Sequence, residues 1–395
     1  MSIQLVNRSP DLKRLRDEGY DIEVLQSGHL VVRHIPYVSA EGTVLQGTFL
    51  TPLKMAGQRT APLDDHTVWF AGDFPCHADR TPMDQINAGA SQQTAGEIVT
   101  QFILSTKPAS GMYADNHAKI SRYADLLTHA AQVIDPTATA KLFRPIPADQ
   151  DDGPFHYYDT ASSRAGITEI GQKLELGKVA IIGLGGTGSY VLDLIAKTPI
   201  REIHLFDGDG FSQHNAFRSP GAASIEELDQ ELTKVDYFAA IYSKMHRGII
   251  PHPDYVTSKN LDQLDGMEFV FLCVDKGAIK RIIVEALEAR NIAFVDVGMG
   301  ISLVADQGLR GQLRVTTSTP EMRQHVWDSE RIPFQDPPGG NDYTQNIQIA
   351  DMNALNAALA VARWKRLRGF YIDHEQEHFS SYKITLNGIG NEDQL

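Results

Sequence analysis

Four glycines in six residues, Gly183-Leu184-Gly185-Gly186-Thr187-Gly188, stand between a strand-like run and a helical one. Gly183, Gly185, Gly186 and Gly188 allow a tight backbone turn and a close approach to phosphate oxygens. The helix that follows offers N–H donors and a partial positive charge at its start. Alone, the pattern indicates the phosphate of a nucleotide. Its structural alternative, a plain strand-to-helix turn, leaves unexplained why four glycines weaken a helix start. Asp207 closes the next strand-like run, about two dozen residues on, where a carboxylate accepts from a ribose hydroxyl. So far a nicotinamide-dependent oxidoreductase fits equally well.

The loop beyond breaks the tie. Asp207-Gly208-Asp209, Asn215 and Arg218 set two carboxylates, an amide and a guanidinium along one segment. Hydride transfer has no use for them, whereas a ribose and a triphosphate do, because arginine binds phosphate oxygens through a bidentate fork and stabilises charge developing there. Lys234, on the following helix, has the reach to join them. Asp275 lies one step past the strand Phe269–Val274, and an aspartate beside polyphosphate commonly holds Mg²⁺. Taken singly, Lys234 reads as a solvated helix lysine and Asp275 as a helix cap. Their shared position on successive strand ends points instead to one site.

The elements that must position these groups alternate. Strands are expected at Val179–Gly183, Glu202–Phe206, Glu268–Val274 and Ala293–Val297. Helices are expected over Gly186–Ala196, Ile225–Met245, Ala278–Arg290 and Gln345–Leu367. Such alternation implies right-handed crossovers and a Rossmann-like, doubly wound, mostly parallel sheet, which binds ligands beyond the carboxyl ends of its strands. The acidic stretch Ala148–Pro154 is the clearest seam, dividing an N-terminal α+β domain (1–150) from an α/β nucleotide-binding domain (151–395). In the first, strands are expected at Leu30–Val38, Val44–Leu50 and Thr67–Ala71. Helices are expected from Thr81-Pro82 to about Ile103 and over Met112–Val133.

With 395 residues, 42% hydrophobic and 22% charged, the chain has the makeup of about two globular domains. A net charge of −14 disfavours nucleic acid as partner. It suits a basic protein partner, or simply solubility. No apolar run approaches the roughly 20 residues of a membrane span. No secretory signal pattern opens the chain, and the two cysteines, Cys76 and Cys273, exclude a disulfide framework or a four-cysteine zinc site. A cytoplasmic location is the expectation.

From about residue 160 to 370 the chain resembles the ThiF-type, ubiquitin-activating-like adenylyltransferases, which serve sulfur-carrier proteins and ubiquitin-like modifiers. The resemblance rests on Gly183–Gly188, Asp207–Arg218, Lys-Val-Asp (234–236) and Cys-Val-Asp (273–275). It implies ATP- and Mg²⁺-dependent adenylation of the C-terminal carboxylate of a ubiquitin-like protein. Asp207 would bind ribose and Asp209 would share in holding the nucleotide. Asn215, Arg218 and Lys234 would contact phosphates, Asp275 would ligate Mg²⁺, and Arg164 would reach the ATP of a neighbouring subunit in a homodimer. Lys276 stands where many members carry asparagine. Peptide, sulfur-carrier and tRNA substrates of the same superfamily are the alternatives, and the lack of zinc-binding cysteine pairs tilts away from sulfuration.

Conjugating members pass the acyl group to a cysteine past the crossover loop, here Trp327–Asn341; the corresponding stretch, Asp342-Tyr343-Thr344, has none. Either the enzyme stops at the adenylate and a partner, such as a conjugating-enzyme-like protein, takes the acyl group, or a hydroxyl of Tyr343 or Thr344 (Ser318 less so) forms an oxyester. The latter resembles what is proposed for bacterial ubiquitination-like pathways. A packed tyrosine and a capping threonine are the structural alternatives. Cys273, in an expected buried strand, reads as inert. In the N-terminal domain His66, Cys76, His77 and Asp79 match no familiar metal spacing. The helix-then-strands order there is similar to ubiquitin-conjugating enzymes at the level of topology only, so a recognition or docking role is the expectation.

Overall fold

The computed structural model describes residues 3–148, 153–335 and 347–392. These residues form two units, Met1–Ile146 with Asp159–Arg164, and Pro147–Tyr158 with Ala165–Leu395.

In the first unit two short helices, α1 (Ile3–Arg8) and α2 (Pro10–Asp17), precede an antiparallel sheet. Its strands are β1 (Asp21–Val24), β2 (His29–Val38), β3 (Val44–Pro52) and β4 (Val68–Ala71), followed by β5 (Asn87–Ala90) and β6 (Phe102–Leu104). The sheet order is β1-β2-β3-β4-β6-β5. Helix α3 (Asn116–Ile134) covers one face, its start capped by Asp115, whose carboxylate accepts from the Ala118 N–H at 2.7 Å. Ile120, Tyr123 and Leu127 of α3 are buried with Leu12, Leu15, Phe49 and Phe70. Lys119 ties this helix to the sheet, its ammonium 2.7 Å from Thr51 Oγ1, and burial pulls its pKa down to about 8.

The helix expected from Thr81 to Ile103 is absent. Thr81 spends its N–H on the Asp79 carboxylate at 3.0 Å, a local turn that competes with helix initiation. Pro82 forms an antiparallel bridge with Cys76. Beyond it the chain makes one 3₁₀ turn at Asp84–Ile86 and then short strands, as suits the glycines at 89 and 96, both in left-handed backbone (φ +115° and +59°).

The second unit is a mixed, largely parallel eight-stranded sheet. Its strands are β7 (Lys178–Ile182), β8 (Glu202–Phe206), β9 (Ile249–His252), β10 (Phe269–Leu272), β11 (Ala293–Val304), β12 (Gly308–Ser318), β13 (Phe379–Lys383) and β14 (Gly388–Asn391). They are ordered β9-β8-β7-β10-β11-β12-β13-β14. The first five are mutually parallel and the rest antiparallel. Besides the short helices Thr168–Gly171 and Gln324–Asp328, its helices among the described residues include α4 (Gly186–Ile195), α5 (Gln213–Ala216), α6 (Ile225–Leu228), α7 (Lys234–Tyr242), α8 (Gly277–Ala289) and α9 (Ala350–Leu367).

After the exposed Lys178 that opens it, central strand β7 is apolar because both its faces are covered. Val179 and Ile181 join the core formed with α4, α7 and α9. Ala180 and Ile182 join the core formed with α8. The expected strand Ala293–Val297 runs on as one arm of a long hairpin with β12.

The single helix expected over Ile225–Met245 is two. Glu231 turns left-handed (φ +49°), the Phe211 N–H bonds the Leu232 carbonyl at 2.8 Å, and the Thr233 side chain caps a new helix by accepting from the Asp236 N–H. Lys234 is therefore a first-turn residue facing the β8 loop, not a mid-helix one.

Candidate nucleotide site

The glycine loop runs from the end of β7 into α4 at the carboxyl edge of the sheet, and each glycine has its own reason. Gly183 adopts φ +91°, and a β-carbon there would stand 2.8 Å from the Cys273 carbonyl oxygen. At Gly188 a β-carbon would meet the Gly183 carbonyl at 1.9 Å, so helix and strand could not pack this closely with any side chain. At Gly186 it would meet the Asn353 amide at 2.2 Å. Asn353, fully buried on α9, also accepts from Thr187 Oγ1 at 2.8 Å. Gly185 differs, for nothing lies within 4 Å of where its β-carbon would stand. Packing does not require a glycine there. The open space lies over the first turn of α4, whose N–H groups have no acceptor within the helix.

The carboxylate of Asp207, at the end of β8 and buried, accepts from the Leu184 N–H at 2.7 Å and the Asp209 N–H at 2.9 Å. It thereby fixes the glycine loop against the β8 loop. The Lys234 ammonium, 7% exposed, lies 2.6 Å from Asp209 Oδ2 and 3.4 Å from Asp207 Oδ1. Burial would raise the Asp209 carboxyl, but hydrogen bonds from Lys234 and Tyr255 outweigh it and hold the group below its ordinary value.

Asn215, buried on α5, accepts from the Ser212 N–H at 2.9 Å. Arg218, half-buried, makes no ion pair among the described residues, and its Nε is buried without a partner. The positive fields of Arg218 and Lys234 converge on His214, whose pKa is lowered first by burial and then by those two charges. Lys276 acts in turn on Asp209, which brings the β10 edge to the same locus. There Asp275 is exposed, with no hydrogen bond or ion pair among the described residues. Its free carboxylate fits Mg²⁺, an ion held by one or two carboxylates and substrate phosphates rather than by a protein cage. No cluster of three or more metal-ligating side chains occurs among the described residues.

Two residues of this neighbourhood carry no sequence pattern. Tyr255 lies beyond the four-residue strand β9 and donates its hydroxyl to Asp209; that bond, more than burial, pushes the hydroxyl up to about 12. Asn353 sits one turn into α9, where an asparagine ordinarily reads as a solvent-facing residue.

Arg164 is held in the first unit. Its helix, Thr160–Ala165, is anchored there by Ser163, whose hydroxyl bonds Arg16 at 2.8 Å and Asp17 at 2.9 Å. The guanidinium carbon stands 5.2 Å from the centroid of the Phe143 ring. Tyr343 and Thr344 lie outside the described residues. Ser318 is fully buried and donates to Glu288 at 3.1 Å. Burial raises the thiol pKa of both Cys273 and Cys76, which keeps them protonated and poor nucleophiles. His77 pairs with Gln85, and His66 with Ser105. No described helix is long and apolar enough to cross a membrane.

Residues 161–388 match the model of the ThiF family, and residues 10–160 match a domain of unknown function, DUF6791. The chain is 22% identical over 231 residues to the adenylyltransferase and sulfurtransferase UBA4 of Saccharomyces cerevisiae. That match covers 55% of this chain and 47% of UBA4, so the chain spans about half the length of the curated relatives it matches. Among solved structures, E. coli MccB with AMPCPP and MccA is 14% identical, covering 78% of this chain and 96% of its own, with a TM-score of 0.44. E. coli tRNA N6-threonylcarbamoyladenosine dehydratase, TcdA, in complex with AMP is 17% identical, covering 53% and 93%, with a TM-score of 0.39.

Proposed function

Because the chain belongs to the ThiF family, we propose that it adenylates a carboxylate with ATP, and that the carboxylate is the C-terminus of a ubiquitin-like protein. One observation carries the reading. Lys234 is set against Asp207, the carboxylate that holds the glycine loop through the Leu184 N–H; Arg218, without an ionic partner among the described residues, follows in the same β8–α6 segment; and Asp275, free of partners among the described residues, lies just past β10, the strand paired with β7. In the reaction a carboxylate oxygen forms a bond to the α-phosphorus and the bond to the bridging oxygen breaks, releasing pyrophosphate. The chemistry needs positioning and charge neutralisation rather than a general base. The α4 N-terminus receives phosphate, Asp207 the ribose hydroxyls, and Arg218 and Lys234 the negative charge of the leaving pyrophosphate. When bound to Asp275, Mg²⁺ supplies further neutralisation of that charge.

A ubiquitin-like substrate fits the acidic balance of the chain better than tRNA does, since an excess of 14 negative charges repels a phosphate backbone. The raised thiols of Cys76 and Cys273 count against sulfur transfer by this chain's own cysteines. The acyl group then passes to a nucleophile of a partner, such as a conjugating-enzyme-like protein, or to the hydroxyl of Tyr343 or Thr344, its bond to the phosphate oxygen breaking with release of AMP. In this reading the first unit recognises that partner or the substrate, the enzyme works as a homodimer to which Arg164 contributes across the subunit boundary, and the setting is the ATP-rich cytoplasm.

The test is ATP–pyrophosphate exchange in the presence of a candidate carrier protein. Asp275→Ala should abolish it. Full exchange by that variant, or tight NAD binding without exchange, would remove the assignment.

A further inference from the structure

We propose that Tyr255 is a positioning residue of the nucleotide site, one that allows Lys234 to exchange a carboxylate partner for a phosphate. The proposal rests on the nucleotide reading above and adds a residue to it. In the structure Lys234 is already neutralised, 2.6 Å from Asp209 and 3.4 Å from Asp207. An arriving triphosphate has to draw that ammonium away from them.

The two carboxylates are not equally prepared for its departure. Asp207 keeps two backbone N–H donors, from Leu184 and Asp209. Asp209 is half-exposed, and among the described residues its side chain has one other partner, the Tyr255 hydroxyl, which bonds the oxygen that Lys234 does not use. Without that hydroxyl, Asp209 would become a bare carboxylate facing the incoming phosphates. Like charges at close range in a partly buried site repel strongly. With it, the carboxylate stays held and partly neutralised.

The tyrosine is itself well fixed. A β-carbon at residue 208 would lie 2.7 Å from its Cδ2 and Cε2, so the ring rests where only glycine leaves room. That glycine stands between the two carboxylates. The ring is otherwise 57% exposed, so its removal leaves no core cavity.

The effect should scale with the phosphate charge that reaches Lys234. Calorimetric titration of the full chain with ATP and with AMP, in the presence of Mg²⁺, reads it directly. Y255F should weaken ATP binding about tenfold, the usual size of a lost hydrogen bond to a charged group, and should change AMP binding by less than about threefold. In a D209N background, where no charge remains to be held, the same substitution should cost ATP nothing further. Equal losses for ATP and AMP, an undiminished loss in the D209N background, or unchanged ATP affinity in Y255F would each overturn the proposal. A wild-type chain that binds neither nucleotide would refute the nucleotide reading itself, and is distinguishable from all three.

Discussion

Arg218 and Lys234 are both cations of the proposed nucleotide site, yet the folded chain depends on them differently. Lys234 balances Asp207, a buried carboxylate; its removal leaves that charge with only backbone donors. Arg218 has no counter-ion among the described residues. Lys234→Ala should therefore cost about 1–3 kcal/mol of stability, while Arg218→Ala should stay within about 0.5 kcal/mol of the parent. Both should lose carrier-dependent exchange. Denaturant unfolding beside exchange assays separates the two roles, and comparable destabilisation by the two variants would contradict it. Residue types and spacing single out both cations in the sequence as candidates, because phosphate chemistry calls for cations at strand ends. Tyr255 was not legible. A lone tyrosine after a short strand containing Pro251 belongs to no pattern, and only the fold brings it over Gly208.

The glycine loop makes a parallel case among elements. Glycines required by packing and a glycine that packing leaves unexplained look identical in sequence, and the backbone separates them. Gly188→Ala puts a methyl 1.9 Å from the Gly183 carbonyl, so α4 must shift off β7; a loss of about 1–3 kcal/mol or more is expected from such overpacking. Gly185→Ala meets nothing within 4 Å. It should melt as the parent does and still bind ATP more weakly, since its methyl occupies the space over the helix N-terminus. Melting temperatures and nucleotide titrations on the two variants decide, and an unimpaired Gly185→Ala would mean that phosphate does not approach there.

Strand–helix alternation was readable because both faces of the parallel strands are buried, which leaves continuous apolar runs. What failed were the places where side-chain hydrogen bonds override periodicity. Asp79 and Thr81 turn the chain where periodicity predicts a helix start, and Thr233 caps a second helix where periodicity predicts one continuous helix. The second of these failures is what brings Lys234 to the site.

The polar, acidic composition of residues 148–154 reads as a seam. The two units trade short segments there, Pro147–Tyr158 grouping with the second and Asp159–Arg164 with the first. No hydrophobic period encodes such an exchange, so the sequence could not display it. The units should nonetheless be separable by acid. Six histidines, His204, His214, His246, His252, His325 and His378, are held below their ordinary value of 6.5, burial being the largest cause for each. All six lie in the second unit. A histidine with a depressed folded-state pKa binds its proton more readily once unfolded. Its contribution to stability is complete above 6.5 and is lost as pH falls from there through the folded value.

In the first unit Lys119 is also depressed, to about 8, so most of its loss is already complete at pH 8; the other depressed groups are carboxylates, among them Glu18 and Asp65, with ordinary values of 4.5 and 3.8. Their contribution is complete above those values and is lost only below them. Lowering the pH from 8 should therefore loosen the second unit first, beginning near 6.5, while the first unit holds until about 4.5. Hydrogen exchange followed by mass spectrometry at stepped pH resolves the two. If exchange instead rose first in α3 and its sheet, these histidines would not be what sets the acid limit of this molecule.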